Sequence, residues 1–306
     1  RDRAALVGLF IIALMVLACL LAPWIAAHDP IQTNLTSEGR FQSPTWGHPF
    51  GTDEVGRDVF ARILHGGRLS LGMALSATAG ITVVGIVLGL AATFYGRFAE
   101  TVVMRTVDVL LAMPTLILAL VIVGLLGQGL RNLIITIIFV QWPRYARLVR
   151  GMALKVRAAD FVEAGRAAGA GKTRLILRHI LPNLIGPVVV FSTVDMGATL
   201  LAVSGLSFLG FGVAPPTAEW GAMLSEARYQ IDRAPLLLVF PGAAISLVVL
   251  AFNLAGDGLR DLLDPRTQAA PPQRRRFVRK SAARTEMQPA KAADALVKPA
   301  AAAGPP

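Results

Sequence analysis

The apolar residues of this chain fall into blocks long enough to cross the hydrocarbon core of a bilayer, with polar, turn-forming stretches between them. A spanning helix needs roughly 20 such residues. Six blocks stand out, at residues 4–26, 69–95, 102–126, 133–148, 183–209 and 234–254. Inside a bilayer every backbone N–H and C=O must pair within the chain, so each block is expected to be helical. The pattern predicts an all-α polytopic membrane protein with six transmembrane helices. The fourth block is the least apolar, because Gln141, Trp142, Pro143 and Arg144 interrupt its second half. The first follows Arg1 and Arg3, as the core of a signal peptide would. It is too long for an h-region of about 7–15 residues and ends in no clear cleavage site, so it reads as a retained span. Pro114, Pro143, Pro187 and Pro241 are expected to kink their helices.

These blocks divide the chain into a first span at 1–27, a polar segment at 28–68, a five-helix core at 69–265 and a tail at 266–306. The core carries two further polar stretches, a basic loop at 151–182 and a segment at 210–233. The tail is rich in Ala, Pro and Arg and lacks the apolar residues that offset ordering entropy, so disorder is expected there.

Composition supports the membrane reading: 54% of the 306 residues are hydrophobic and 16% charged, where a soluble domain carries about 25% charged residues. The net charge of +11 gains meaning when mapped. With the N-terminus inside, 23 of the 30 Lys and Arg fall on the inner side. This positive-inside bias puts both termini on the cytoplasmic side of the cell (inner) membrane in which the chain is expected to lie. The basic balance implies contact with inner-leaflet lipid. It does not imply nucleic acid, since no aromatic-interleaved basic groove accompanies it. Cys19 is the single cysteine and is expected to pack in a core. His28, His48, His65 and His179 show no metal-ligand spacing, and no metal site is expected.

The stretch DFVEAGRAAGAGKTRLILRHILP, residues 160–182, contains Gly171-Lys172-Thr173 and invites a phosphate-loop reading. That motif needs a glycine where Arg166 stands, and it needs a preceding strand. A helix–turn–helix fits better. Ala and Arg favour a helix over 161–168, Gly169 and Gly171 break it, and a second helical stretch follows over 172–179. Pro182 then suits the first turn of the fifth span.

On the other side, Gly51-Thr52-Asp53 and Gly56-Arg57-Asp58 read as turn and cap chemistry before a helix. Pro215-Pro216-Thr217 and Glu219-Trp220-Gly221 read as a rigid turn before an interfacial helix. Asp53, Arg57, Asp58, Glu219 and Trp220 either fold these segments or meet an outer partner, and Trp220 is an interfacial anchor or a gate. Ionisable groups inside spans point to function. Arg105 and Asp108 share a helix face and are expected to pair. Asp195 has no evident local partner; it is the best single residue for a central pathway, and a partner on a second subunit is equally open.

The 160–182 stretch resembles the EAA loop of ABC-importer permeases. Glu163-Ala164-Gly165, Gly169, His179 and Leu181-Pro182 carry the likeness, with Gly165 where the family has its second Ala. HPFGTDEVGRDVFARILHGGRLSL (48–71), LSFLGFGVAPPTAEWGAMLSEAR (206–228) and FPGAAISLVVLAFNLAGDGLRDLLDPR (240–266) are similar to the dipeptide/oligopeptide branch, C type. The resemblance covers nearly everything up to about residue 266. It implies a type I ABC-importer permease fold and a loop that docks on an ATPase subunit. It also implies a homologous permease partner, two ATPase domains and an extracytoplasmic binding protein. ATP and Mg2+ would belong to the ATPase subunits, with no cofactor and no catalytic residue in this chain.

Relatives of this branch also import glutathione, nickel or metal chelates, so the solute stays open. A carrier or channel without nucleotide coupling would call for several embedded carboxylates or a His relay, and Asp195 alone does not meet that. An intramembrane enzyme would call for motifs such as HExxH or GxSxG, which the sequence lacks.

Overall fold

The computed structural model describes residues 3–263, so the expected tail at 266–306 lies outside the described residues. Among them no strand forms; helices alternate with turns, and the non-helical stretch over 26–58 carries one isolated bridge between Thr52 and Asp58. The helices are α1 (Arg3–Leu20), α2 (Val59–Phe94), α3 (Arg97–Ala112) and α4 (Thr115–Leu126). They continue with α5 (Leu130–Arg157), α6 (Asp160–Ala167), α7 (Lys172–Phe211), α8 (Trp220–Ala227) and α9 (Leu236–Leu263).

Four helices, α1, α2, α7 and α9, are long and apolar enough to cross a membrane. The pair α3 and α4 adds a fifth if it is taken as one broken span. The kink expected at Pro114 within the 102–126 span is a sharp one: the two pieces meet at a bend of 100°. Pro114 is the cause. Its ring disfavours the helical conformation in the residue before it, and Met113 sits extended at φ −92°, ψ 142°. Pro143, Pro187 and Pro241 behave differently, since each lies within a helix that continues past it.

Of the 28 residues of α5, enough are charged to keep it out of the apolar set. It is nonetheless central. Its face of Leu133, Ile137, Val140, Tyr145, Ala146 and Val149 is buried, and its contact with α2 is the most extensive between any two helices.

In lipid, apolar area alone does not pull helices together; close packing and interhelical hydrogen bonds do. The α2–α5 seam shows why α2 is rich in small residues. A Cβ on Gly89 would lie 2.8 Å from the Ala146 carbonyl oxygen and from Val149 Cβ, and Gly85 abuts Tyr145. Gly8 does the same for α1 on α9, where a Cβ would lie 2.7 Å from the Ala251 carbonyl. α1 otherwise stands at the edge, with Leu6, Phe10 and Leu17 exposed. Cys19 is buried against Trp220 in the core shared by α1, α2, α8 and α9.

Replacing Gly89 by Leu should force α2 and α5 apart and cost about 1–3 kcal/mol, the usual penalty of overpacking. Gly72 is the control, because a Cβ there meets nothing within 4 Å. Thermal unfolding of the detergent-purified chain should show a clear drop for Gly89→Leu and none for Gly72→Ala.

Candidate functional site

The helix–turn–helix expected at 160–182 is present, and the chain's chemistry explains its shape. Asp160 and Glu163 lie in the first turn of α6, where carboxylates favour the positive end of the helix dipole. Gly169 closes the helix with φ +80°, a conformation glycine adopts without strain. Two bonds complete the turn: Gly169 N–H to the Arg166 carbonyl and Ala170 N–H to the Gly165 carbonyl, both 3.0 Å. This Schellman pattern satisfies carbonyls that the helix end would leave free.

Gly171 is extended at φ −66°, ψ 160°, and Lys172 begins α7, so the GAGKT run lies across a helix-to-helix connection. A π-helical turn at Ile176–Ile180 follows, in which Leu181 N–H reaches back to the Ile176 carbonyl. The α-helical stretch beyond this turn begins at Leu181, so Pro182 sits in its first turn as expected. α7 runs through it, and the widened turn just upstream accommodates a residue without an N–H.

This hairpin has two faces. Val162, Leu175, Ile176 and Ile180 are buried against Leu90 of α2, Val149 and Ala153 of α5, and Leu184 further along α7. The opposite face leaves Glu163, Ala164, Gly169 and Pro182 exposed, with Gly165, His179 and Leu181 half-buried. Gly165 faces inward: a Cβ there would lie 3.1 Å from Leu175 Cδ2, so the missing methyl tightens the hairpin against α7. Beside it a concavity of about 590 Å3 is lined by Arg97, Glu100, Arg157, Arg166 and Lys172.

Midway along α7, Asp195 is buried but not alone. It accepts a hydrogen bond from the Tyr145 hydroxyl at 3.1 Å, and the Arg144 guanidinium stands 3.5 Å away. The partners come from α5, which the sequence pattern could not align with α7. Arg144 also bonds Gln141 and keeps much of its side chain exposed. Thr82 and Ser192 share a hydrogen bond of 2.9 Å that ties α2 to α7 nearby. The expected pairing of Arg105 with Asp108 does not form. Asp108 instead pairs with Arg147 of α5 at 2.6 Å, and Glu100 pairs with Arg150. These bridges hold α3 to α5.

At the Val59 end of α2, the five residues weighed as outer contacts are all buried. Asp53 is bonded by Arg57 Nε at 2.6 Å, and Glu226 of α8 receives Arg57 at 2.8 Å and Arg62 at 3.0 Å. Asp58 caps α2 by accepting from Ala61 N–H at 2.7 Å. Glu219 caps α8, accepting from Gly221 and Ala222 N–H, and also receives the Ser70 and Ser207 hydroxyls. Trp220 is neither an interfacial anchor nor an exposed gate: it is fully buried, and its indole N–H donates to the Ile63 carbonyl at 2.9 Å.

Arg62, Ser70, Ser207 and Glu226 complete these networks. Sequence reading missed them because Arg62, Ser70 and Glu226 find partners more than a hundred residues away, and Ser207 meets Glu219 across a turn that local helix spacing does not relate. The histidines do not stay scattered either. His28 and His48 meet Asp58, their ligand-type atoms within 4.8 Å of one another.

Residues 81–269 match the family described as binding-protein-dependent transport system inner membrane component. The chain belongs to that family. Residues 1–44 match the N-terminal transmembrane domain of oligopeptide transport permease C. The chain is 42% identical to the dipeptide transport system permease protein DppC of Alkalihalophilus pseudofirmus, covering 88% of each. It is 43% identical to the di/tripeptide transport system permease protein DppC of Pseudomonas aeruginosa, covering 88% of this chain and 90% of the relative.

Among solved structures it resembles the MetNI methionine ABC transporter, with a TM-score of 0.54 at 20% identity over 66% of this chain and 97% of that one. That likeness is one of fold. The protein is thus a multi-pass membrane permease subunit of an ABC importer with the type I fold. It is not itself an enzyme, and its family works with ATPase and binding-protein partners.

Glu219→Ala would strand two hydroxyls and two helix N–H groups in a buried site, a loss of about 2–4 kcal/mol. The expected result is a lower unfolding temperature for the purified permease, with Glu219→Gln intermediate because its amide oxygen still accepts.

Proposed function

We propose that this permease imports dipeptides or oligopeptides handed over by an extracytoplasmic binding protein. The reading rests on one observation above all: relatives named for dipeptide and di/tripeptide transport match at 42–43% identity along nearly nine-tenths of the chain. A homologous second permease would complete the pathway, and two ATPase domains holding ATP and Mg2+ would power it. The chain would cross the membrane six times, with α3–α4 as the broken third span and α5 as the fourth. Both termini would then lie in the cytoplasm of a cell whose inner membrane holds the complex.

In this arrangement the α6 hairpin is cytoplasmic and docks on an ATPase subunit through Glu163, Ala164, Gly169 and the flanking His179 and Leu181-Pro182. Its support is the two-faced geometry: an exposed face for a partner, and a buried face rooted in α2, α5 and α7. ATP-driven closure of the ATPases moves the hairpin, and the helices rooted to it follow. Energy enters as a difference in affinity between two states of the pathway. Asp195, with Tyr145 and the partly exposed Arg144, lines that pathway or the seam with the second permease. Asp53, Arg57, Asp58, Glu219 and Trp220 build the platform beneath the binding protein, and do not themselves touch it in this conformation.

The test is reconstitution of the chain with its partner subunits in vesicles. Uptake of labelled dipeptide should depend on ATP and the binding protein, whereas uptake of glutathione or a nickel chelate in its place would reassign the solute. Glu163→Arg should abolish substrate-stimulated ATP hydrolysis while the permease still reaches the membrane. Wild-type stimulation in that variant would remove the hairpin from the coupling path.

A further inference from the structure

Beside the N-terminus of α2, two imidazoles and a carboxylate converge whose combination the transport reading does not use. The His28 and His48 rings stack with centroids 4.4 Å apart and 29° between their planes. His48 Nδ1 lies 2.9 Å from Asp58 Oδ1. One ligand-type atom from each of the three residues falls within 4.8 Å of the others. They open onto a polar concavity of about 280 Å3 whose wall also includes Asp29, Gln32 and Asn34.

Two of these groups are held in place by the chain around them. Asp58 is buried, and its Oδ2 is committed to the α2 cap, which leaves Oδ1 turned to His48. The His48 backbone is locked in a turn: its carbonyl accepts from Thr45 and Gly51 N–H, both at 2.9 Å, and its own N–H donates to Thr45 Oγ1 at 3.1 Å. His28 is half-buried, and its ring has no hydrogen-bond partner among the described residues. It is the member free to adjust.

We infer that His28, His48 and Asp58 bind a divalent transition-metal ion of the Zn2+ kind, with a fourth position open to water. Two imidazole nitrogens and one carboxylate oxygen are the donor set that such ions take, at about 2.0–2.2 Å each. Ligand atoms on a tetrahedral ion of that size stand roughly 3.3 Å apart. The His48–Asp58 pair is already near that spacing, and rotation of His28 brings in the third. The ion would tie the residues just beyond α1 to the start of α2, joining an edge helix to the buried platform.

The test is Zn2+ titration of the full chain by calorimetry, after chelator treatment and purification without a polyhistidine tag. The expected result is one saturable, EDTA-reversible equivalent in the wild type. His28→Gln and His48→Asn should each bind at least about tenfold more weakly, since even residues supporting a ligand are worth that much. His48→Asn keeps an N–H for Asp58, and His28→Gln removes no hydrogen bond, so fold and ligation are separable by circular dichroism and gel filtration. The Co2+-loaded wild type should show a d–d absorption spectrum that both variants lose, with His65→Gln unchanged. Absence of saturable binding in the wild type, or equal affinity in folded variants, would overturn the site.

Discussion

The seat of the α6 hairpin is the contact on which the working geometry depends. Val162, Leu175, Ile176 and Ile180 present apolar side chains inward, and Leu90, Val149, Ala153 and Leu184 receive them. These residues come from α2, α5 and α7, so a single short hairpin is joined to three long helices at once. Its first arm, α6, has eight residues and is too short to be stable as an isolated helix, because nucleation is costly and few bonds follow it. Its order comes from this seat and from the glycine-closed turn at Gly169. A partner that grips the outer face therefore acts on the bundle and not on a floppy loop.

The two ends of the molecule solve opposite problems. At the hairpin end, charged groups such as Glu163 and Lys172 stay exposed. At the other end, Asp53, Asp58, Arg57, Arg62 and Glu219 are buried, and each meets partners that satisfy it. Burying one charge without its counterpart would be expensive, whereas a complete network rigidifies the segment it crosses. α2 joins the ends: it is capped by Asp58 in the rigid network and delivers Leu90 to the hairpin seat. With 36 residues, it spans roughly 54 Å at 1.5 Å per residue, longer than the bilayer core.

Much of this was legible in the chain, for physical reasons that differ by element. Apolar blocks announce α1, α2, α7 and α9 because lipid-facing helices must be apolar on all exposed sides. The hairpin was legible because helix formers flank two glycines, and only glycine readily takes the φ of +80° found at Gly169. α5 was dimly legible, since burial against α2 and pairing with Asp108, Glu100 and Asp195 let it carry charges that hydropathy counts against it. The pairing of Asp108 with Arg147 in place of Arg105, and the convergence of Glu226, Arg57 and Arg62, arise between distant elements. Local spacing holds no record of them. The same is true of His28, His48 and Asp58, whose separation in sequence conceals their meeting in space.

The central claim is that the hairpin transmits motion because its inner face is rooted, apart from what its outer face touches. Val162→Asn tests this directly. Val162 is fully buried and makes no part of the exposed face, so the substitution loosens the root while leaving Glu163 in place. In the reconstituted importer, the ATPase subunits should still co-purify with the permease, and substrate-stimulated ATP hydrolysis should fall toward the unstimulated rate. Full stimulation in that variant, with the protein folded and assembled, would contradict the account.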